Sequence, residues 1–279
     1  RGYVGRIESW YFAAMDAKDN RSAANPGETP EAWIARAQNG SWGLALVPEE
    51  KAWSWAESNP SIADTWPGRP EGGIGQAMPA QRQWLSSRTA LFLLVGDDLR
   101  RLARTTEGQP VLAGEGRSLA VSLSHTPGMG AAATQGKTGL QRVGVDIECC
   151  SDRQARVLAR ISQEDEVRLV REVAGPEMGP GLLWVIKEAC YKGGLIEGSL
   201  FGKNQIITTL NKIAPTSSAP ATLDDIPQGQ QAGFTLNECR PAWSGEVRQG
   251  LMPEEWMAFE AGWIDHGGRS WLWCVAYPR

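Results

Sequence analysis

The sequence contains few cysteines and no long apolar run. Its five cysteines are an odd number, they show no spacing typical of a zinc site, and no motif pairs one of them with a histidine. This usage indicates a reducing compartment and gives no support to catalysis by a thiol. No apolar stretch approaches the roughly twenty residues that a membrane helix requires. We therefore expect a cytoplasmic protein with no membrane partner and no signal peptide.

An excess of positive charge is also lacking. The chain has 28 lysines and arginines against 32 aspartates and glutamates, which gives a net charge of −4 and a pI near 5.4. Because broad nucleic-acid binding usually needs a basic face, we expect no nucleic-acid partner. Two local arginine clusters fit either a docking face for an acidic protein or an ordinary solvated helix face. They consist of Arg100, Arg101 and Arg104, and of Arg153, Arg156 and Arg160.

The length of 279 residues and the hydrophobic content of 42% allow a substantial core, in one large domain or in two halves. Segments rich in Pro, Gly and polar residues predict loops over residues 20–30, 57–79 and 215–231. Strands are predicted over residues 42–47, 143–148 and 271–277, with a hairpin over residues 119–134. Helices are predicted over residues 80–103, 154–173 and 182–193. The thirteen tryptophans are expected to pack in cores rather than form a ligand cage.

The first informative motif is a short alternating run over residues 143–148. Val145 and Ile147 alternate with Asp146 and Glu148, and successive side chains of a strand point to opposite faces. The two acids therefore share one face of a predicted strand, while the β-branched residues of the other face pack into a core. Carboxylate pairs of this kind suit Mg2+, although a half-solvated sheet gives the same pattern.

The second motif lies downstream, from Trp184 to Lys192. Lys, Glu and Ala favour a helix, in which Trp184, Glu188 and Lys192 fall at i, i+4 and i+8 on one side. Glu188 and Lys192 can then act together, or they can form a common surface ion pair. The tryptophan and its apolar neighbours predict that this helix packs against the rest of the protein.

Together the two motifs resemble those of the 4'-phosphopantetheinyl transferases, a family with a Gly-Val-Asp-x-Glu strand followed by Trp-x-x-Lys-Glu-Ala-x-x-Lys. Here residues 144–148 read Gly-Val-Asp-Ile-Glu, and residues 184–192 read Trp-Val-Ile-Lys-Glu-Ala-Cys-Tyr-Lys. Residues 122–125, Ser-Leu-Ser-His, are similar to the Ser-His turn of that family. Residues 82–88 resemble the arginine-bearing helix of its larger, surfactin-synthetase-activator type. The resemblance covers residues 80–195.

The resemblance implies an α+β fold made of two similar, pseudo-symmetric α+β halves packed around a cleft. Residues 1–140 would form the N-terminal half with the coenzyme A contacts, and residues 141–279 the C-terminal half with the metal site and the catalytic helix. The implied activity is transfer of the 4'-phosphopantetheine arm of coenzyme A to a serine of an apo acyl or peptidyl carrier protein. This reaction depends on Mg2+ and releases adenosine 3',5'-bisphosphate. Because two halves in one chain already form the cleft, we expect a monomer.

The resemblance also assigns roles to individual side chains. The implied metal ligands are Asp146, Glu148 and Glu188. The implied catalytic residues are Glu188, Lys192 and Asp146, with Lys192 stabilising the leaving oxygen and Glu188 a candidate base for the serine proton. The implied residues that bind coenzyme A are Arg88, Ser124, His125, Lys187 and Lys192.

Two places depart from the family pattern. Gln109 stands where the family more often has a lysine near a phosphate of coenzyme A, and no acid of residues 161–166 matches the family's acid with certainty. Two other hypotheses therefore stay open: an Mg2+-dependent hydrolase of coenzyme A or another pyrophosphate, and a non-catalytic module that binds carrier proteins or coenzyme A. For His125 a turn-capping role is the alternative, and His266 is expected to lie in a turn.

Overall fold

The computed structural model describes residues 31–37, 41–68, 79–106, 108–114, 118–135, 142–194, 205–213, 234–249 and 256–278. Over these residues the fold is α+β with two β-sheets, so the predicted α+β class is confirmed. The loops predicted over residues 20–30 and 215–231 lie outside the described residues. No helix in the described part of the chain is both long and apolar enough to cross a membrane.

Seven strands form the first sheet. They are β1 (Glu31–Arg36), β2 (Trp42–Pro48), β3 (Leu102–Arg104), β4 (Pro110–Leu112), β5 (Leu119–Thr126), β6 (Met129–Gln135) and β9 (Thr235–Glu238). Their order is β3-β4-β5-β6-β2-β1-β9. Neighbouring strands are antiparallel except β1 and β9, which run parallel. The strand predicted over residues 42–47 and the hairpin predicted over residues 119–134 are thus confirmed.

Helices α1 (Glu49–Ser58), α2 (Pro60–Ala63) and α3 (Pro79–Val95) pack on the first sheet. The helix predicted over residues 80–103 ends early, because a 3-10 turn and β3 follow α3. Gly96, with φ of 58°, stands at this change, and glycine commonly ends helices in this conformation. Trp55 and Trp66 stack at 5.5 Å in the core that these helices cover, which agrees with the packing role predicted for the tryptophans.

Five antiparallel strands form the second sheet. They are β7 (Gly144–Cys149), β8 (Gln205–Lys212), β10 (Trp243–Gln249), β11 (Trp256–His266) and β12 (Arg269–Pro278). Their order is β7-β12-β11-β10-β8. The strands predicted over residues 143–148 and 271–277 correspond to β7 and β12. Helices α4 (Asp152–Ile161) and α5 (Glu164–Lys192) pack on one face of this sheet.

The helix predicted over residues 154–173 is divided in two at Ser162 and Gln163. Gln163 is the N-cap of α5 and forms a capping box, so a new helix begins there. Within α5 the backbone leaves the helical conformation at Gly175. Pro176 follows, a residue favoured at the first position of a helix. The segment after this kink carries the second motif.

A third core lies between the two sheets. Strands β2 and β6 contribute side chains from one sheet, and β7 and β12 from the other. Ile147 and Trp273 are fully buried here, and Trp42 and Trp273 contact each other edge to face with ring centres 6.4 Å apart. The apolar face of β7 therefore packs inward, as the alternating pattern predicts.

Gly144 lets α5 approach β7 closely. A Cβ atom at this position would overlap the carbonyl oxygen of Ala189 on α5. We therefore expect Gly144→Ala to lower the free energy of unfolding by about 1–3 kcal/mol, because the backbone must move to make room. Urea-induced unfolding measures this loss. Gly43→Ala in β2 is the control, since its added Cβ would meet only Thr134 Oγ1 at 3.3 Å and Leu94 Cδ2 at 3.6 Å; equal losses in the two variants would contradict the explanation.

Candidate active site

Strands β5 and β7, which belong to different sheets, are joined by side-chain hydroxyls. Ser122, Ser124 and Thr126 alternate along β5 and are buried, and we call these three residues the hydroxyl row. Ser124 Oγ donates to Asp146 Oδ1 at 2.8 Å, and Thr126 Oγ1 donates to Glu148 Oε2 at 3.0 Å. The two acids of the first motif therefore form hydrogen bonds with a strand of the first sheet.

Asp146 is the centre of this polar cluster. Its Oδ1 accepts a hydrogen bond from Lys192 Nζ at 2.6 Å, and Lys192 Nζ also donates to Ser124 Oγ at 2.8 Å. Only 3% of Asp146 is exposed. Its Oδ2 is buried and accepts no hydrogen bond within the described residues. A buried carboxylate oxygen without a partner is costly, and a bound cation would remove that cost.

Glu148 and Glu188 share the environment of Asp146. The pKa of each is raised, first by burial and second by the negative charge of Asp146. Glu188 further raises the pKa of Glu148, while Lys192 lowers the pKa of both. The charges of the three predicted metal ligands thus affect one another, and with all three ionised they carry more negative charge than Lys192 neutralises.

The cluster contains three carboxylates of the kind that bind Mg2+. Among the described residues, no three His, Cys, Asp or Glu side chains are already arranged to hold a metal ion. Lys192 binds Asp146 Oδ1 and leaves Oδ2 for a cation. The donors nevertheless fit, because carboxylates are hard oxygen ligands, Asp146 has a buried oxygen without a partner, and a cation would stabilise the ionised glutamates. Asp146, Glu148 and Glu188 would hold Mg2+.

Arg88 and His125 form a basic region beside Lys192. The guanidinium of Arg88 lies 5.4 Å from the ring centre of Trp84, and no carboxylate in the described part of the chain pairs with it. Burial and then Arg104 lower the pKa of Arg88 to about 10. His125 is exposed, yet enough protein surrounds its ring to lower its pKa to about 4, with desolvation the largest cause and the charges of Lys192 and Arg88 next. The positive charge of Arg88, which has no acidic partner in the described part of the chain, favours an anion.

The structure corrects the prediction for Lys187. This residue has no exposed surface, and its Nζ donates to the carbonyl oxygens of Ile161 and Gln205 at 2.8 and 2.7 Å and to Glu166 Oε2 at 2.9 Å. An ammonium group enclosed in this way does not reach coenzyme A. Lys187 instead joins α5 to the α4–α5 connection and to the start of β8.

Glu166 is the buried acid of residues 161–166. Its Oε1 accepts a hydrogen bond from the amide of Ile207 at 2.9 Å, and its Oε2 accepts one from the amide of Gln163 at 2.8 Å. Asp165, by contrast, is exposed. The structure therefore distinguishes Glu166 from its acidic neighbours as the ion-pair partner of a buried lysine.

Gln109 contacts the turn that follows α5. A Cβ atom on Gly194 would overlap Gln109 Nε2 and lie 2.9 Å from its Cδ, so the side-chain amide lies directly against this glycine. Arg142 Nη1 donates to the carbonyl oxygen of Gly194 at 2.8 Å. Gln109 thus lies near the end of the helix that carries Lys192, where it brings a neutral group and no charge.

His266 is the last residue of β11 rather than part of the turn after it. Its Nε2 lies 2.8 Å from Glu50 Oε1, and its ring meets that of Trp33 edge to face at 5.1 Å. His266 therefore connects the second sheet to α1 and β1.

The arginine clusters lie at the surface. Arg100 and Arg101 form exposed ion pairs with two aspartates of the same 3-10 turn, and such pairs contribute little to stability. Arg156 and Arg160 are exposed on α4, while the side chain of Arg153 lies outside the described part. Docking of an acidic protein on either cluster stays a prediction.

Comparisons with known proteins assign no family to the chain. A scan against protein-family models finds no match, and a search of curated proteins finds none either. The functional argument therefore depends on the residues of the two motifs and on the contacts between them.

Sequence reasoning missed Thr126 as a partner of the acids. A signal was present, because Ser122, Ser124 and Thr126 repeat every second residue, just as Asp146 and Glu148 do. Each strand therefore has a polar face that the sequence predicts. Which two polar faces meet depends on the packing of the sheets, and no local pattern gives that information.

The raised pKa of Glu148 predicts how stability depends on pH. Because its folded-state pKa lies above the ordinary value of 4.5, the folded state holds this proton more tightly than the unfolded state does. The resulting stability is present at low pH and is lost as the pH rises through the folded-state pKa. In urea unfolding between about pH 6 and about pH 9, we expect the wild type to lose more stability than Glu148→Gln. Glu49 and His125, whose pKa values are also shifted, are present in both proteins, so their contributions to the pH dependence are the same in both. Parallel curves of unfolding free energy against pH would therefore contradict the raised pKa of Glu148.

Proposed function

We propose that the protein transfers the 4'-phosphopantetheine arm of coenzyme A to a serine of an apo acyl or peptidyl carrier protein, with Mg2+ as cofactor. The observation that carries this proposal is the meeting of Asp146, Glu148 and Glu188 with Lys192, beside the basic region around Arg88. Coenzyme A has a diphosphate, which suits carboxylate-bound Mg2+ and a lysine, and a 3'-phosphate, which suits a basic region.

We further propose that the chain consists of two similar, pseudo-symmetric halves around a cleft, residues 1–140 and 141–279. Support comes from their organisation, since each sheet is covered by helices on one face and contributes its other face to a shared core. Strand β9 crosses this division, because it belongs to the second half of the chain but pairs with β1 in the first sheet. The basic residues proposed for coenzyme A belong to the first half, apart from Lys192, and the acids proposed for Mg2+ belong to the second. The proposed enzyme is a cytoplasmic monomer.

In the proposed reaction, the serine oxygen bonds to the phosphorus that bears the pantetheine arm. The bond from that phosphorus to the bridging oxygen breaks, and adenosine 3',5'-bisphosphate leaves with the electron pair. Lys192 places a positive charge where the leaving phosphate gains negative charge. Glu188 takes the serine proton, directly or through water. Bound Mg2+ would neutralise charge on the diphosphate.

The basic region has a binding role in this proposal. Arg88 supplies a permanent positive charge for the 3'-phosphate. His125 is neutral near pH 7, because its pKa is lowered to about 4, and it can still donate one N–H to a phosphate or adenine atom. Gln109 adds no charge, so binding of the phosphates depends on Arg88 and Lys192.

Intact-protein mass spectrometry of an apo carrier protein tests the proposed function. After incubation with the protein, coenzyme A and Mg2+, we expect the carrier to gain the mass of one phosphopantetheine arm, and we expect a chelator to abolish the gain. Cleavage of coenzyme A without a gain in carrier mass would indicate a hydrolase. Intact coenzyme A and unchanged carriers from fatty-acid, polyketide and peptide synthesis would indicate a binding module. Either result would contradict the proposal.

A further inference from the structure

The hydroxyl row covers an open edge of the second sheet. β7 is the outermost strand of that sheet, so its outer edge has no strand to pair with inside the sheet. Ser122 Oγ accepts a hydrogen bond from the amide of Val145 at 3.0 Å on this edge. Ser122, Ser124 and Thr126 are 3%, 3% and 7% exposed. Side-chain hydroxyls of one sheet therefore bind the edge strand of the other.

Thr126 holds Glu148 from the neighbouring sheet. Its Oγ1 donates to Glu148 Oε2 at 3.0 Å, and this bond is one of the causes that lower the pKa of Glu148 against burial. Threonine is branched at Cβ and has few χ1 rotamers, so its hydroxyl has a well-defined direction. The bond to Oε2 therefore restrains the orientation of the whole Glu148 carboxylate.

The backbone around Thr126 is held from both sheets. Thr126 pairs with Met129 across the β5–β6 hairpin. In the turn between them, a Cβ atom on Gly128 would lie 2.9 Å from the ring of Trp271 on β12, and the amide of Glu49 donates to the carbonyl oxygen of Gly128 at 3.1 Å. The hydroxyl of Thr126 is thus presented from a constrained hairpin rather than from a free loop.

We propose that Thr126 is a positioning residue for the cation site, whose hydroxyl fixes the orientation of Glu148 and so links the geometry of the metal ligands to the packing of the two sheets. The inference rests on the proposed function, since it takes Glu148 as a ligand. Partners that orient metal ligands typically contribute about 10–100-fold to metal affinity. Ser124 likewise donates a hydrogen bond to Asp146, but it also accepts one from Lys192, so replacing Ser124 would remove two contacts. Replacement of Thr126 is therefore the simpler test.

Mn2+ binding, followed by the EPR signal of the free ion, tests this inference without requiring turnover. We expect Thr126→Val, which has the same shape but no hydroxyl, to weaken Mn2+ binding by about 10–100-fold. Thr126→Ser keeps the hydroxyl and is expected to bind Mn2+ nearly as tightly as the wild type. In the transfer assay, Thr126→Val is expected to need more Mg2+ for half-maximal rate, while the KM for the carrier protein stays unchanged.

Ser122→Ala is the matched control, because it removes a hydroxyl of the same row that binds a main-chain amide instead of an acid. We expect it to lower the free energy of unfolding and to leave Mn2+ affinity close to wild type. Equal Mn2+ affinity in the wild type and in folded Thr126→Val would overturn the inference, and so would equal weakening in Thr126→Val and Ser122→Ala. Mn2+ binding without transfer in the wild type would overturn the proposed function alone, whereas no Mn2+ binding would overturn both.

Discussion

Glu188→Gln is expected to lower the rate of phosphopantetheine transfer by about 10²–10⁴-fold. Glutamine keeps the size of the side chain, but it neither accepts the serine proton nor brings negative charge to the cation site. Glu188 lies close enough to Asp146 and Lys192 for both charges to shift its pKa, so it is part of the cluster. Initial rates of carrier modification, followed by mass spectrometry at saturating coenzyme A and at the Mg2+ concentration that just saturates the wild type, measure the loss.

Glu172→Gln is the matched control for this experiment. Glu172 is an exposed residue of the same helix, on the other side of the kink, and we expect its replacement to change neither rate nor stability. A transfer rate near wild type in Glu188→Gln would contradict both proposed roles of Glu188, as a metal ligand and as the base. Recovery of the Glu188→Gln rate at high Mg2+ would agree with the role of Glu188 as a metal ligand and would contradict its role as the base.

Lys187→Met is expected to lower the free energy of unfolding by about 3–5 kcal/mol, because it leaves the buried Glu166 carboxylate without its partner. The ion pair has 0% and 3% exposed side chains, so water does not replace the lost interaction. The carbonyl oxygens of Ile161 and Gln205 also lose a donor. Urea-induced unfolding of the variant and the wild type gives the difference.

Two further variants show whether the lost ion pair is the cause. Arg168→Met breaks the exposed Arg168–Asp165 pair, which has a similar distance of 2.8 Å, and we expect a loss of at most about 1 kcal/mol. The double variant of Lys187→Met with Glu166→Gln removes the unpaired charge and is expected to recover part of the stability. A double variant less stable than Lys187→Met alone would show that the uncompensated carboxylate is not the main cost.

The acids of β7 could be predicted from the sequence because their signal is local. Alternation along residues 143–148 places Asp146 and Glu148 on one face of a strand, and the structure gives Val145 and Ile147 a buried position on the other face. Helical spacing likewise places Glu188 and Lys192 on one side of a helix. That these two elements meet was implied only by the family resemblance, and the ion pair between Lys192 and Asp146 was not predicted.

Features that depend on tertiary packing could not be predicted from the sequence. Lys187 has the same residue type and the same helix as Lys192, yet it lies in the core, because Glu166 and two carbonyl oxygens satisfy its ammonium group there. Helical spacing places the two lysines on different faces of α5, but it does not indicate which face lies in the core. The contact of Thr126 with Glu148 likewise depends on how the two sheets pack.

The parallel pairing of β9 with β1 sets a limit on when the first sheet can be completed during synthesis. β1 begins at residue 31, whereas its partner spans residues 235–238, and Phe234 contributes to the first core. The amide of Cys239 also donates to the carbonyl oxygen of Ile34 at 2.9 Å. A nascent chain on the ribosome therefore keeps the outer edge of β1 unpaired until strands β7 and β8 and helices α4 and α5 have been translated. During that interval a second nascent chain can pair with this edge, so the order of translation makes β1 a site for misassembly between neighbouring copies.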